Sequence, residues 1–173
     1  MIIWFTGQPG AGKTTLAKAL INQYCPAQGT ILQGYLGDEL FQWLHLDGDS
    51  FRDIFDNKDY SEQGRRNNIN NAMMVALYLN NIGIIPVCSF VSPYRDMREW
   101  LKQKAVVAEI FLDYEGKRNK DAFFVNNYEP PETEYLYLNT SQQVIENCLH
   151  AVMQYIREKA VMQQFTVINS TCP

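Results

Sequence analysis

The chain has 173 residues, of which 46% are hydrophobic and 20% charged, so it has room for one domain with a hydrophobic core. Its formal net charge of -4 gives no general attraction for nucleic acid, so any bound anion needs locally placed positive groups. No apolar stretch approaches the roughly 20 residues that cross a bilayer and no charged leader is seen, so we expect one cytoplasmic domain, residues 1–173, that binds neither nucleic acid nor membrane.

Apolar runs rich in β-branched and aromatic residues alternate with helical patterns along the chain. Strands that alternate with helices are typical of a parallel sheet covered by helices on both faces. The predicted strands are Ile2–Thr6, Phe41–Leu46, Gly83–Ser89, Ala108–Asp113 and Glu134–Leu138. The predicted helices are Gly12–Tyr24, a short helix after Asp49, Gly64–Asn81, Pro93–Lys104 and Ser141–Lys159.

Two further segments have no clear periodicity. Gly29–Glu39 contains three glycines and is predicted to be a surface loop between the first helix and the second strand. Residues 160–173 form a tail that either packs as an extra element or frays.

The cysteines and histidines indicate neither a metal site nor a disulfide framework. The four cysteines lie far apart and lack the paired spacing of metal sites, so reduced thiols are expected. His45 and His150 are isolated in the sequence, and each is expected to be a solvated or packed side chain.

The segment GQPGAGKTT, residues 7–15, follows the first predicted strand and opens the first predicted helix. Glycines let such a loop curl so that its backbone N–H groups converge on a phosphate, and the helix N-terminus adds positive potential. Lys13 can neutralise the β- and γ-phosphates of a nucleoside triphosphate, and Thr14 can offer a hydroxyl to Mg²⁺. An ordinary glycine-rich turn needs neither residue at these positions. The pattern predicts Mg²⁺ and a nucleoside triphosphate as ligands, the latter bound by Gly7, Gln8, Pro9, Gly10, Ala11, Gly12, Lys13, Thr14 and Thr15.

A second group of charges, Asp47, Asp49 and Arg52, directly follows the second predicted strand. The carboxyl ends of parallel strands open onto the ligand crevice, so these side chains are expected near the transferring phosphate. Asp49 can accept or align the proton of an attacking hydroxyl, and Asp47 can hold the Mg²⁺ shell. Alternatively, Asp49 is only the N-cap of a helix that begins at Ser50.

Five segments together resemble one family of enzymes. GQPGAGKTT, LDGDSFR, YSEQGRRNNI, SFVSPYRDMRE and YEPPE occur in the order and approximate spacing of adenylylsulfate kinases, and the resemblance covers most of the chain from Ile2 to Thr140. It implies transfer of the γ-phosphoryl group of ATP to the 3′-hydroxyl of adenosine 5′-phosphosulfate. It also implies a three-layer P-loop α/β sandwich with a five-stranded parallel sheet, and a possible homodimer.

The resemblance also assigns roles to individual residues. Asp49 becomes the base or orienting carboxylate, with Lys13 on the phosphates and Asp47 and Thr14 at the metal. Tyr60 replaces a phenylalanine that stacks on the adenine, and its flat ring is kept. A second ring, from one of two adjacent phenylalanines, completes the aromatic sandwich. The acceptor-binding residues implied are Arg52, Tyr60, Arg65, Asn68, Phe90, Val91, Arg95, Phe123 and Phe124.

Ser92 matches a family position described as a phosphoserine intermediate, which makes it a third candidate catalytic residue besides Asp49 and Lys13. Direct in-line transfer is favoured, because a loose phosphoryl transition state needs alignment and charge stabilisation more than a covalent relay. Ser92 can instead cap a helix that begins near Pro93. Arg95 either assists the acceptor or is a solvated helix residue.

Two segments depart from the family pattern. The lid, about residues 114–128, is shorter than usual; its Lys117, Arg118 and Lys120 either close over the triphosphate or form a solvated basic turn. Gly64 precedes Arg65, and Asn70 and Asn71 replace an arginine pair.

These departures bear on the identity of the acceptor more than on the type of reaction. The first alternative is a kinase of the same fold that acts on another activated nucleotide, such as cytidine diphosphoramidate, because the two rings would stack on cytosine as readily. An ATP-binding regulatory module is a second alternative, although it has no use for an acceptor pocket. A nucleic-acid 5′-kinase is disfavoured by the acidic balance of the chain.

Overall fold

The computed structural model describes residues 1–25, 32–36, 39–116 and 123–170, with no side chains described for 32–39 and 162–170. Within these ranges the strands are β1 Ile2–Thr6, β2 Leu32–Leu36, β3 Glu39–Asp47, β4 Ile84–Ser89, β5 Val107–Asp113 and β6 Tyr135–Asn139. They form one sheet in the order β2-β3-β4-β1-β5-β6. Five of these strands run parallel, and β2 pairs antiparallel with β3 at one edge.

Helices cover both faces of the sheet. They are α1 Lys13–Tyr24, α2 Gly48–Ile54, α3 Glu62–Asn81, α4 Arg95–Lys104 and α5 Ile145–Ser170. Buried residues of α1 and α5 pack on one face, and those of α2, α3 and α4 pack on the other. The predicted three-layer α/β sandwich with a five-stranded parallel sheet is confirmed. Among the described residues, no helix combines the length and apolar character that a membrane span requires.

The central strand β1 shows why the sheet is buried on both faces. Ile3 and Phe5 belong to the core under α1 and α5, whereas Ile2 and Trp4 belong to the core under α2, α3 and α4. Successive side chains of a strand point to opposite faces, so an apolar run without polar interruption is expected for a strand between two helix layers.

All five predicted strands are present, and a sixth was missed. β2 lies inside Gly29–Glu39, so the prediction of a surface loop is wrong for Leu32–Leu36. The strand exists because its backbone pairs with β3, with Leu32 opposite Trp43 and Leu36 opposite Glu39. Pairing on an edge depends on the partner strand more than on local side-chain pattern. Residues 29–31 and 37–38 of the predicted loop lie outside the described residues.

The helix starts differ from the predicted ones by two residues or more at α3, α4 and α5. α3 begins at Glu62, two residues before the predicted start at Gly64. α4 begins at Arg95, two residues after the predicted start at Pro93. α5 begins at Ile145 and continues to Ser170, so the described part of the tail, residues 160–170, extends this helix. Residues 171–173 lie outside the described residues.

A buried ion network joins α4 to β5. The guanidinium of Arg98 donates to Glu109 Oε1 over 2.7 Å, and Lys102 Nζ lies 2.6 Å from Glu109 Oε2. The Arg98 and Glu109 side chains are 2% and 1% exposed. Arg98 also donates to the carbonyl oxygens of Ser92 and Glu129. The network therefore ties the loop before α4 to the segment that follows residue 123.

We expect Glu109→Ala to lower the free energy of unfolding by about 3 kcal/mol or more, because it leaves the buried Arg98 without its carboxylate partner. Urea denaturation measures the change. The matched control is Glu132→Ala, which removes the exposed partner of Arg95 and should cost less than about 1 kcal/mol. Equal losses in the two variants would contradict the structural role of the buried network.

Candidate active site

The predicted phosphate loop lies between β1 and α1. A Cβ placed on Gly7 would lie 2.2 Å from the backbone oxygen of Leu112, so only glycine fits where the loop passes β5. Gly12 precedes α1 with a φ of 90°, a left-handed conformation that favours glycine. The Lys13 ammonium, largely buried, donates to the carbonyl oxygens of Gly7 and Gln8 over 2.9 and 2.7 Å. The lysine is thereby folded back over its own loop, at the N-terminus of α1.

Asp47 joins the phosphate loop to the end of β3. Its Oδ2 accepts hydrogen bonds from the hydroxyls of Thr14, over 2.7 Å, and Ser89, over 2.9 Å. Its Oδ1 accepts from the backbone N–H groups of Asp49 and Ser50. Burial alone would raise the pKa of Asp47, but the hydrogen bonds from Thr14, Ser89 and Ser50 outweigh burial and lower this pKa. Asp47 is therefore held as a carboxylate.

The N-cap of α2 is Asp47, so the alternative in which Asp49 serves only as the N-cap is wrong. Asp49 instead lies in the first turn of α2 and lines the same cavity as Lys13 and Thr14. One residue thus caps the helix, and the residue two positions later faces the cavity.

His45 belongs to the same polar network, which the sequence did not indicate. Its Nε2 lies 3.0 Å from Ser89 Oγ, and Ser89 in turn donates to Asp47. Burial lowers the pKa of His45 from its ordinary value of 6.5, and Lys18 lowers it further while Asp47 acts in the opposite direction. The alternation of β3 places His45 and Asp47 on one face of the strand, and this period of two is the only sequence signal of their relation.

A cavity of about 460 Å³ lies at the carboxyl ends of the parallel strands. The phosphate loop and the predicted acceptor residues line it together. From the loop come Pro9, Gly10, Gly12, Lys13, Thr14 and Thr15, and from the acceptor side come Asp47, Asp49, Arg52, Tyr60, Arg65, Asn68, Phe90, Val91, Ser92 and Phe123. Gly7, Gln8, Ala11, Arg95 and Phe124 were also predicted as site residues and do not line it.

Two aromatic rings face each other at the acceptor end of the cavity. The centroids of Tyr60 and Phe123 lie 5.9 Å apart, with an angle of 48° between the ring planes. The Arg52 guanidinium carbon lies 4.4 Å from the Tyr60 centroid, and that of Arg65 lies 5.6 Å from it. Phe124 is exposed and outside the cavity lining, so Phe123 is the phenylalanine that pairs with Tyr60.

Asn68 brings a buried amide to the cavity. The residue is 4% exposed, and its Oδ1 has no hydrogen-bond partner among the described residues. A buried polar atom without a partner is costly, so this oxygen suits a ligand donor.

Ser92 lies in the cavity wall but is almost fully buried. Its Oγ accepts a hydrogen bond from the Trp4 indole over 3.1 Å, and the residue is 1% exposed. Ser92 does not cap α4, contrary to one of its two predicted roles. The residue at the N-cap position is Tyr94, and the first N–H of the helix, that of Arg95, donates to the Glu129 carboxylate over 2.7 Å.

Arg95 points away from the cavity. Its guanidinium donates to the carbonyl oxygen of Pro130 and to the Glu132 carboxylate. The prediction that Arg95 contacts the acceptor therefore has no support in the geometry. Of the shortened lid, Lys117, Arg118 and Lys120 lie outside the described residues.

The replaced arginine pair and Gly64 also have definite positions. Asn70 is exposed, Asn71 is partly buried, and neither lines the cavity, so these changes do not remove charge from the cavity wall itself. Gly64 is buried in the first turn of α3, where a Cβ would lie 2.4 Å from the backbone oxygen of Asp59. The close approach explains the glycine and fixes the loop that carries Tyr60.

The family model and the curated relatives of the chain point to one family. Residues 1–121 match the family model described as adenylylsulphate kinase. An adenylyl-sulfate kinase of Pseudomonas entomophila is 31% identical over 94% of this chain and 83% of that protein. The structure of the Mycobacterium tuberculosis APS kinase CysC in complex with AMPPNP and APS has a TM-score of 0.67 at 18% identity, over 90% of this chain and 96% of the other. A hexameric APS kinase from Thiobacillus denitrificans has a TM-score of 0.65 at 24% identity, over 91% of this chain and 29% of the other.

The partly buried side chain of His45 predicts a pH dependence of stability. The unfolded chain takes up a proton on His45 near its ordinary pKa of 6.5, while the folded protein resists protonation, so stability is full above that pH and falls as the pH is lowered through it. We expect His45→Gln, which does not titrate but keeps hydrogen-bonding groups toward Ser89, to lose less stability than wild type between about pH 7 and pH 5. Thermal unfolding measures this difference.

The control for that measurement is His150→Gln, which changes an exposed histidine of α5 and should keep the wild-type slope. If the slope of His45→Gln also equals that of wild type, another group is responsible for the loss.

Proposed function

The chain belongs to the adenylylsulphate kinase family, and we propose that it transfers the γ-phosphoryl group of ATP to the 3′-hydroxyl of adenosine 5′-phosphosulfate. The observation that carries the proposal is one cavity lined both by Lys13 and Thr14 of the phosphate loop and by Asp49, Arg52 and a pair of facing rings. Phosphoryl transfer needs a donor and an acceptor held in line, and a single cavity with two differently lined ends meets that need.

The loop end of the cavity is suited to the triphosphate. The backbone N–H groups at the start of α1 and the Lys13 ammonium supply positive potential for the β- and γ-phosphates. Thr14 Oγ1 and Asp47 Oδ2 lie 2.7 Å apart, and a hydroxyl and a carboxylate are oxygen donors that Mg²⁺ accepts. We therefore propose that these two residues hold Mg²⁺. When bound, the metal would neutralise charge on the phosphate oxygens.

The other end is suited to an anionic nucleotide with a free sugar hydroxyl. Asp49 lines the cavity beside the loop residues, where its carboxylate can orient the hydroxyl and accept its proton. Arg52 and Arg65 place two cations beside the Tyr60 ring. When the base of the nucleotide stacks on this ring, both cations are suited to bind its phosphosulfate group. Asn68 offers a buried oxygen to a donor on that nucleotide.

The buried position of Ser92 supports direct transfer. Its hydroxyl accepts from the Trp4 indole, and its backbone is held in a left-handed conformation with a φ of 42°. The carbonyl oxygen of Ser92 accepts from Arg98. A covalent relay would require this hydroxyl to leave a buried hydrogen bond, whereas in-line attack by the acceptor hydroxyl requires no such movement.

The reaction is tested by supplying ATP and Mg²⁺ with one acceptor at a time and measuring ADP release and the phosphorylated product. The acceptors are adenosine 5′-phosphosulfate, cytidine diphosphoramidate and unmodified nucleosides. We expect turnover with adenosine 5′-phosphosulfate, and we expect Asp49→Asn to lower kcat by at least about 100-fold because it removes the proton acceptor. Ser92→Ala should keep more than about a tenth of kcat, because it loses only one hydrogen bond near the site.

The other outcomes separate the alternatives. Turnover with cytidine diphosphoramidate but not with adenosine 5′-phosphosulfate would replace the acceptor and keep the phosphotransferase. ATP binding without turnover of any acceptor would favour a regulatory module. A loss in Ser92→Ala as large as that in Asp49→Asn would favour the phosphoserine route.

We further propose that the chain assembles with copies of itself through the outer face of α3. Met74 and Tyr78 on this helix and Ile82 at its C-cap recur every four residues and are exposed. Leu40 and Leu44 are also exposed, and the alternation of β3 places them on the same face of the sheet as Leu46, which packs in the core under α3. An apolar surface of this kind is typical of an interface between subunits.

We expect Tyr78→Lys to shift the protein to a smaller assembly at micromolar concentration, because it places a charge in the apolar interface. Size-exclusion chromatography with light scattering measures the mass. Val161→Lys changes an equally apolar, exposed position on α5, at the opposite face of the sheet, and should leave the mass unchanged. A monomeric wild type would refute the proposal.

A further inference from the structure

The side chain of Gln8 is bonded to a distant piece of backbone. Gln8 lies in the phosphate loop, but its carboxamide does not line the cavity. Its Nε2 donates to the carbonyl oxygen of Val125 over 2.9 Å, and its Oε1 accepts the N–H of Val125 over 3.1 Å. A primary amide presents one donor and one acceptor side by side, so it can pair with a peptide group as a neighbouring strand would. Neither glutamate nor leucine can make both bonds.

Val125 belongs to a short segment, residues 123–129, that we call the return segment. Its far end is fixed elsewhere: the Tyr128 hydroxyl is 2.7 Å from Thr6 Oγ1, and the Glu129 N–H donates to the carbonyl oxygen of Pro93 over 2.9 Å. Among the described residues, the two bonds to Gln8 are the hydrogen bonds closest in sequence to Phe123. The position of the Phe123 backbone therefore depends on Gln8 more directly than on the other anchors.

Phe123 forms one wall of the acceptor end of the cavity and pairs with Tyr60. It lies two positions before Val125, a distance of about 7 Å in an extended chain. A shift of Val125 is transmitted to the Phe123 ring over so short a span. The carbonyl oxygen of Gln8 itself accepts from the Lys13 ammonium over 2.7 Å. One residue thus contacts the phosphate-binding lysine through its backbone and, through its side chain, the backbone two positions after Phe123.

We propose that Gln8 is a positioning residue that holds Phe123 in place for the acceptor and couples the acceptor wall to the state of the phosphate loop. The inference rests on the proposed function for its acceptor, but the anchor itself is a property of the fold. When a nucleotide draws the Lys13 ammonium away from the loop carbonyls, the peptide of Gln8 loses a hydrogen bond and the return segment responds through the carboxamide. ATP and acceptor binding are then linked energetically.

The experiment compares wild type with Gln8→Leu and Gln8→Glu, whose side chains are similar in size to that of glutamine. Gln8→Leu loses both hydrogen bonds to Val125, and Gln8→Glu loses only the one that Nε2 donates. The first readout needs no acceptor: amide hydrogen exchange of residues 123–127, with and without ADP and Mg²⁺. We expect exchange in Gln8→Leu to be at least about fivefold faster than in wild type, because a hydrogen bond of ordinary strength contributes about that factor. We expect the nucleotide to change this exchange in wild type and not in Gln8→Leu.

The second readout is the division of the kinetic effect between the two substrates. We expect the KM for the acceptor to rise about five- to tenfold in Gln8→Leu, with a smaller rise in Gln8→Glu, because one or two hydrogen bonds are lost. The KM for ATP should change by less than about twofold, because the bonds that are lost lie outside the phosphate contacts. In a Phe123→Ala background, Gln8→Leu should add little further loss, since the ring that it positions is absent.

The control variant is Gln154→Leu, which removes an exposed glutamine of α5 bonded only to Glu158 among the described residues and should resemble wild type in both readouts. Unchanged exchange at residues 123–127 in Gln8→Leu overturns the anchor. Faster exchange with equal rises in the two KM values overturns the positioning role, because Gln8 would then act on the phosphate loop alone. If wild type turns over no acceptor, the proposed function fails, while the exchange readout still decides whether Gln8 links nucleotide binding to the return segment.

Discussion

The carboxylate of Asp47 holds the two ends of the candidate site together. Its oxygens accept hydrogen bonds from Thr14 on α1, from Ser89 at the end of β4 and from the first turn of α2. Hydrogen bonds to an ionised acceptor are stronger than neutral ones, so a half-buried carboxylate with these donors stays charged despite its desolvation. Asp47 is the N-cap of α2 and is also hydrogen-bonded to Thr14 of the phosphate loop. The position of Asp49, in the first turn of α2, is therefore fixed relative to that loop. The Asp47 carboxylate thereby sets the position of the phosphate loop relative to that of Asp49 at the acceptor end of the cavity.

The sheet and the phosphate loop were predictable because their signals are local. The strand β1 needs an unbroken apolar run, and the loop after it needs glycines, a lysine and a threonine at fixed spacing, all of which can be read from neighbouring residues. The acceptor residues were predictable from resemblance to a family, and the geometry gathers most of them around one cavity. The resemblance gave no reason for Gly64, whose need appears only in the close approach of Asp59.

The features that were missed depend on contacts between residues far apart in sequence. Gln8 and Val125 are 117 positions apart, and His45 and Ser89 are 44 apart, so no local pattern reveals either pair. The cap of α4 comes from Glu129, which explains why the serine directly before the predicted helix start was misread as its cap. The edge strand β2 was missed for a related reason, since its partner β3 supplies the bonds that define it.

The two aromatic rings impose a last constraint on how an acceptor enters. A base stacked between Tyr60 and Phe123 needs about 7 Å between the rings, twice the contact distance of carbon atoms, and the centroids are 5.9 Å apart. One ring must therefore move by about 1 Å when a base enters. Tyr60 is held by Arg52 over its face and by Arg65, which donates to its carbonyl oxygen.

Both rings are exposed, but Tyr60 carries the Arg52 guanidinium over its face, so we expect Phe123 to be the ring that turns. Stacking of a base is worth about 1 to 3 kcal/mol, and a side-chain rotation of Phe123 costs less than breaking the hydrogen bonds that anchor its segment, at about 1 kcal/mol each. The base can therefore enter by turning the ring while the anchor to the phosphate loop stays intact. The backbone from which the ring turns stays bonded to Gln8 of the phosphate loop. This bond is the physical basis that we propose for a dependence of acceptor binding on ATP binding.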